Sequence, residues 1–162
     1  MLFVYPEFGT ILFSPNVLNT FIKYQQKQIV DPEAGGYLFG RQFNDQVVIE
    51  IATEPDRTDL RDRFFILRNK VKANKIFSRF CKITNGELFL AGEWHTHPEK
   101  YPKPSQYDKI EILKSFKGNH YPLKFMSVVI IGNGAISESW IGVQNAKQLL
   151  QLTREGELIW KR

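Results

Sequence analysis

Gly92-Glu93-Trp94-His95-Thr96-His97-Pro98, followed by Ser105-Gln106-Tyr107-Asp108, reads as a strand that ends in a proline-rich link and hands over to a capped helix. Side chains alternate along a strand, so His95 and His97 leave one face while Trp94 and Thr96 leave the other. The chain has three histidines, and two of them stand here. Two neutral imidazoles converging on one point are two thirds of a catalytic zinc site, with a carboxylate as a common third ligand. Asp108, with ten residues between it and His97, is placed to supply that carboxylate. On pattern alone two readings stay open, a ligand pair and a chance spacing. Ser105-x-x-Asp108 is also a variant of the capping box, which needs no metal. The two roles are compatible. The first turn of a helix holds a side chain rigidly, and Pro98, Pro102 and Pro104 leave the link few conformations to lose.

Outward from this stretch, Leu2–Tyr5 and Thr10–Phe13 read as short strands around a turn containing Pro6 and Gly9. Ser14-Pro15 opens a helix, with Ser14 as N-cap and Val17, Leu18, Phe21, Ile22 and Tyr24 as its apolar stripe. Asp31-Pro32 is expected to end it. Residues 35–40 (GGYLFG) and 46–53 (QVVIEIAT) read as strands, and Glu54–Arg63 as a charged, exposed loop. A short strand at Phe64–Leu67 and a helix at Lys70–Ile83 follow. Asn85-Gly86 then turns the chain into the histidine strand, Glu87–His97. The capped helix runs over Ser105–Phe116, with Ile110, Leu113 and Phe116 expected inward. Phe125–Ile131 is a buried strand, and Gly132-Asn133-Gly134 a hairpin turn leading to Ala135–Val143. A helix is expected near Ala146–Leu152 and a last strand at Glu157–Trp160. Helices and strands alternate around one sheet, which predicts an α/β (α+β) fold in a single domain over residues 1–162.

Composition is that of an ordinary globular protein, with 43% hydrophobic and 24% charged residues. The net charge of +5 comes from basic residues scattered along the chain, which argues for a solvated surface over a nucleic-acid footprint. Cys81 is the single cysteine, so no intrachain disulfide can form. That fits a reducing cytoplasm. No run approaches the roughly 18 apolar residues of a membrane span, and the first residues lack a signal-peptide pattern.

A hydrolytic metal site also needs a group to carry protons, and a carboxylate beside the metal is the usual one. Glu33 is a candidate, because it lies just before Gly35-Gly36, where backbone passes close to something. Seventeen acidic residues compete for that role on pattern alone. Glu93 shares the strand face of His95 and reads equally as an acceptor for an imidazole N–H or as an exposed carboxylate. Trp94 reads as core.

Glu33-x-x-Gly36, His95-x-His97-Pro98 and Ser105-x-x-Asp108 together resemble the JAMM motif of the MPN/JAB-domain metallopeptidases. The Glu33-x-Gly35-Gly36-x-Leu38-x-Gly40 strand resembles the family too, and the order of elements fits it over most of the chain. Tyr37 departs from it, standing where many members carry an aliphatic residue. The resemblance implies a cytidine-deaminase-like sheet flanked by helices. It implies one zinc per chain on His95, His97 and Asp108, Glu33 as general acid/base, and Ser105 as a donor to the tetrahedral oxyanion. The implied reaction is hydrolysis of the peptide or isopeptide bond after the C-terminal tail of a ubiquitin-like or otherwise conjugated protein.

The wording Gly92-Glu93-Trp94-His95-Thr96-His97-Pro98-Glu99 is similar to the stand-alone bacterial JAB peptidases. Among these, the group encoded in CBASS antiphage operons removes a cGAS-like nucleotidyltransferase from its conjugates. Processing of a sulfur-carrier protein is an alternative within the family. A non-catalytic interaction module is an alternative from another class, and retention of all five motif residues argues against it. Arg57, Arg61 and Arg63 in the charged loop are candidates to meet the substrate tail, against the plainer reading of a solvated loop. His120 and Cys81 receive no role.

Overall fold

A computed structural model describes residues 1–155, apart from the side chains of Lys70 and Ala73. The strand expected at Glu157–Trp160 lies outside the described residues. In chain order the elements are β1 (Leu2–Tyr5), β2 (Gly9–Phe13), α1 (Pro15–Lys23), β3 (Gly35–Phe43), β4 (Gln46–Ala52), β5 (Leu60–Asp62) and β6 (Phe65–Leu67). They continue with α2 (Lys70–Ile83), β7 (Phe89–Thr96), α3 (Gln106–Gly118), β8 (Phe125–Ile131), β9 (Trp140–Asn145), β10 (Leu149–Gln151) and β11 (Thr153–Arg154). One mixed sheet runs β10-β9-β8-β7-β3-β4-β2-β1-β11, and β5 and β6 form a separate hairpin. This is the α/β architecture expected. No described helix is long and apolar enough to cross a membrane.

Strand β8 shows why the sheet is covered on both sides. All seven of its residues are buried, as a central strand sandwiched between layers requires. Phe125, Val129 and Ile131 join the core on the α1 side with Phe13, Val17, Phe21 and Trp94. Met126, Val128 and Ile130 join the core on the α3 side with Ile112 and Trp140. Strand β7 lies parallel to β8, with Trp94 opposite Val129 and His95 opposite Ile130. Trp94 therefore faces α1, and His95 faces α3.

Five expectations are corrected. Helix α1 ends at Lys23 with Tyr24 as C-cap, not at Asp31-Pro32. Beyond it, Gln25 and Gln26 turn their amides to backbone carbonyls elsewhere in the molecule. On α3, Ile110 and Leu113 are exposed and Ile112 is buried. The cap turns Asp108 toward the sheet, so Ile112 and Phe116, four and eight residues on, share that face. The link from β8 to β9 is longer than a hairpin turn and contains a 3-10 turn at Ile136–Glu138. The helix expected near Ala146–Leu152 is instead strand β10, paired with β9. Asn145 Oδ1 accepts from the Lys147 and Gln148 N–H groups, both at 2.9 Å, which closes a tight turn there. The charged loop at 54–63 is also partly regular, because its last residues form β5.

Candidate functional site

Strand β3 pairs with β7 so that Gly35 faces His95. A Cβ on Gly35 would stand 2.7 Å from the Trp94 carbonyl oxygen and 3.2 Å from His95 Cβ, so glycine is what admits this close approach. The pairing extends one step further. The Thr96 N–H donates to the Ala34 carbonyl at 2.8 Å. Continuing that antiparallel register sets Glu33 across from His97.

On the other side of β7, the link to α3 is pinned to the loop after β8. Asn133 Nδ2 donates to the Pro98 carbonyl at 3.0 Å, and the Asn133 N–H donates to the Glu99 carbonyl at 2.9 Å. Helix α3 then opens on a full capping box. The Asp108 N–H donates to Ser105 Oγ at 3.1 Å, and the Ser105 N–H donates to Asp108 Oδ2 at 2.6 Å.

The result is a three-residue convergence. His95 Nε2 and His97 Nε2 lie 3.2 Å apart. His95 Nε2 is 3.4 Å from Asp108 Oδ1, and His97 Nε2 is 3.4 Å from Asp108 Oδ2. Ligands about 2.0–2.1 Å from a tetrahedral metal stand roughly 3.3 Å from one another. The observed separations match that edge, and a two-nitrogen, one-oxygen donor set suits a divalent metal. His95, His97 and Asp108 form the one such group among the described residues.

The electrostatics fit the same purpose. Burial raises the Asp108 carboxyl, but the hydrogen-bonding imidazoles of His95 and His97 outweigh it and hold Asp108 well below the usual carboxylate range. Burial lowers His97, yet the hydrogen bond and charge of Asp108 hold it above its ordinary value. Glu33 is buried, which pushes its carboxyl up, while the neighbouring charges of His95 and His97 pull against that shift. A carboxyl raised in this way holds and releases a proton more readily near neutral pH than an exposed one.

These groups line a cleft of about 710 Å³, bounded by Glu33, His95, His97, Ser105 and Asp108 at one end. Its wall continues over the β5–β6 hairpin through Phe64, Phe65 and Leu67, all substantially exposed. Of the three loop arginines, Arg63 lines the cleft, and one of its terminal nitrogens donates to the Gln28 carbonyl at 3.0 Å and also to that of Ile29. Arg61 Nε donates to the carbonyl of Glu33 at 2.7 Å, so it holds the backbone of Glu33. Arg57 is exposed at the turn before β5.

Glu93 departs from both of its expectations. It is buried, and it takes Arg68 at 2.8 Å and the Ser115 hydroxyl at 3.1 Å. Arg68 also donates to the Gly36 carbonyl at 3.0 Å and lies 4.6 Å from the centre of the Tyr37 ring. The aromatic departure at Tyr37 thus has a partner in Arg68. Neither Arg68 nor Gln26 carries a local sequence signal for such a place. Trp94 is fully buried as expected, with its indole N–H donating to the Thr53 carbonyl at 3.1 Å.

A protein described as a CD-NTase/cGAS isopeptidase from Escherichia coli (strain TW11681) is 30% identical over 132 residues, covering 82% of this chain and 80% of its own. One of the same description from Pseudomonas aeruginosa (strain BWHPSA011 / Pa011) is 37% identical over 99 residues, covering 61% and 63%. A third, from Vibrio cholerae, is 29% identical over 133 residues, covering 82% and 80%. The solution structure of protein DSY2949 from Desulfitobacterium hafniense shares the fold, with a TM-score of 0.57 at 17% identity over 87% of this chain and 88% of that one. Residues 15–142 match the family described as prokaryotic homologs of the JAB domain, and the chain belongs to that family.

Proposed function

We propose that this chain is a zinc-dependent isopeptidase that hydrolyses the bond after the C-terminal tail of a conjugated protein. The substrate class is a cGAS-like nucleotidyltransferase joined to its targets, in keeping with the relatives' description as CD-NTase/cGAS isopeptidases, and the proposed setting is bacterial antiphage defence. The observation that carries the reading is the set of 3.2 and 3.4 Å separations among His95, His97 and Asp108, with buried Glu33 on the same cleft.

In this reading His95 Nε2, His97 Nε2 and an Asp108 carboxylate oxygen hold the metal, and the capping box keeps that carboxylate aimed. When bound, zinc supplies Lewis acidity that lets water ionise near pH ~7 instead of ~15.7. The Glu33 carboxylate takes the proton of the attacking water and later delivers it to the departing amine. The Ser105 hydroxyl accepts from the Asp108 N–H, which leaves its own hydrogen to donate to the oxyanion that forms at the scissile carbonyl. The cleft continues from this end along the β5–β6 hairpin, which gives an extended tail a wall to lie against, with Arg63 near its course.

The test joins the C-terminal segment of such a nucleotidyltransferase to a fluorescent protein and incubates the fusion with the chain, with and without chelator. A cut after the tail, located by mass and lost on chelation, is the expected result. Cleavage that ignores the chelator contradicts the proposal.

A further inference from the structure

We infer that Gln26 is a positioning residue for Glu33: its buried carboxamide sets where the Glu33 backbone stands relative to the His95–His97 strand. The inference rests on the proposed proton-carrying role of Glu33. Between α1 and β3, residues 25–34 contain neither helix nor strand; the Glu33 N–H donates to the Asp62 carbonyl at 2.7 Å and its carbonyl accepts from Arg61 Nε at 2.7 Å, and the chain on either side needs its own anchors. A group that must meet an attacking water within a fraction of an ångström cannot take its place from such a segment unless something else fixes it.

Gln26 is 1% exposed, and both ends of its amide are used. Its Nε2 donates to the Asp31 carbonyl at 3.1 Å and to the Arg63 carbonyl at 2.8 Å. Its Oε1 accepts from the Thr96 hydroxyl at 2.9 Å. That hydroxyl in turn accepts from the Ala34 N–H at 2.9 Å, and the Thr96 N–H donates to the Ala34 carbonyl at 2.8 Å. The relay therefore joins the cleft-lining hairpin at Arg63, the segment before Glu33 at Asp31, the residue after Glu33 at Ala34, and the residue between the two histidines.

Side-chain chemistry explains the choice of glutamine. The site needs two donors and an acceptor on one neutral group, and a carboxamide has them. A carboxylate would face two carbonyl oxygens without donors, and a lysine would lack the acceptor. Position explains why the relay is separate from the metal ligands. Thr96 is fully buried on the α1 side of β7, whereas His95 faces α3. Loss of the relay loosens the segment on either side of Glu33 without touching a ligand.

The test uses Gln26→Leu, Thr96→Val and Thr96→Ser. Hydrogen exchange at the Ala34 amide is followed in metal-free protein, and kcat, KM and zinc content are measured with the fluorescent fusion. Gln26→Leu and Thr96→Val are expected to speed Ala34 exchange. They are also expected to lower kcat on the order of tenfold to a hundredfold, as small misplacements of reacting groups do. KM and zinc per chain should stay at wild-type values, and Thr96→Ser, which keeps the hydroxyl, should recover most of the loss. Unchanged Ala34 exchange, or faster exchange with unchanged kcat, overturns the inference. So does a kcat that falls only in step with zinc content. If wild-type protein gives no chelator-sensitive cleavage, the proposed function fails instead, and the exchange arm alone decides whether Gln26 orders the segment around Glu33.

Discussion

The two sides of the cleft are built by different means. The metal side is regular structure: His95 and His97 ride at the end of β7, and Asp108 sits on the first turn of α3 inside a capping box. The Glu33 side is irregular chain tied down by polar side chains, with Arg61 on the Glu33 carbonyl, Gln26 on Asp31 and Arg63, and Gln25 on Gly132 and Gly134. Ladders and caps place a ligand through local geometry, and a buried polar network places a base through distant partners. The first kind of site tolerates change outside its own elements. The second is vulnerable wherever one of its partners is removed.

Changing Glu33 tests whether the two sides separate. Glu33→Ala should lower the cleavage rate by about 10²–10⁴-fold. Zinc content should match the wild type, because no metal ligand is touched. Joint loss of metal and activity would mean that the sides are not independent.

Arg68 spans both sides, since it bonds the Gly36 carbonyl beside the Glu33 segment and Glu93 on the histidine strand. Arg68→Met leaves the Glu93 carboxylate buried without its cation, a loss of about 3–5 kcal/mol in such settings. Urea unfolding of Arg68→Met should register that drop. The double variant Arg68→Met/Glu93→Gln should recover much of it, because the uncompensated charge is then gone. A drop as large in the double variant would count against the pair as described.

Ser105 sharpens the metal side. Ser105→Ala removes the Asp108 N–H acceptor and is expected to cost about 1 kcal/mol in the metal-free protein. Cleavage should also slow by on the order of a hundredfold. Ser105→Asp retains the cap and loses the hydroxyl donor, so stability should return without the rate. Recovery of both would assign Ser105 to capping alone.

The smallest effect expected is a pH dependence of the metal-free fold. His97 is raised, so its contribution is complete below about pH 6.5 and fades as pH rises through its folded pKa. Asp108 is lowered, so its contribution is present above about pH 3.9 and fades as pH falls. Glu33 is raised by burial, so it too takes stability away as pH rises above about 4.3. With chelator, unfolding midpoints should therefore be lower at pH 8 than at pH 5.5. Added zinc should stabilise more at pH 8, because its ligands must be deprotonated.

What the sequence reveals divides along the same line. Alternation placed Trp94 in the core and both histidines on the opposite face, and Ser105-x-x-Asp108 announced the cap, because each signal lies within a few residues. Glu33 could be singled out only by resemblance to a family motif, since an acidic residue in an irregular segment has no period of its own. Gln26, Arg68 and the end of α1 stayed hidden for a further reason. Their partners are carbonyls and side chains such as Gly132, Arg63 and Glu93, far off in sequence and without a pattern at either end. Strand β10 is an exception to that line: the Asn145 turn that closes it is local, but the short apolar run Leu149-Leu150 does not by itself separate helix from strand.

The most direct measurement determines zinc per chain and cleavage of the fluorescent fusion together, in wild-type protein, Glu33→Ala and His97→Ala. One zinc per chain is expected in wild type and in Glu33→Ala and little in His97→Ala, with chelator-sensitive cleavage in wild type alone. Wild-type cleavage without bound metal, or full zinc content in His97→Ala, would contradict a metal centre held by His95, His97 and Asp108.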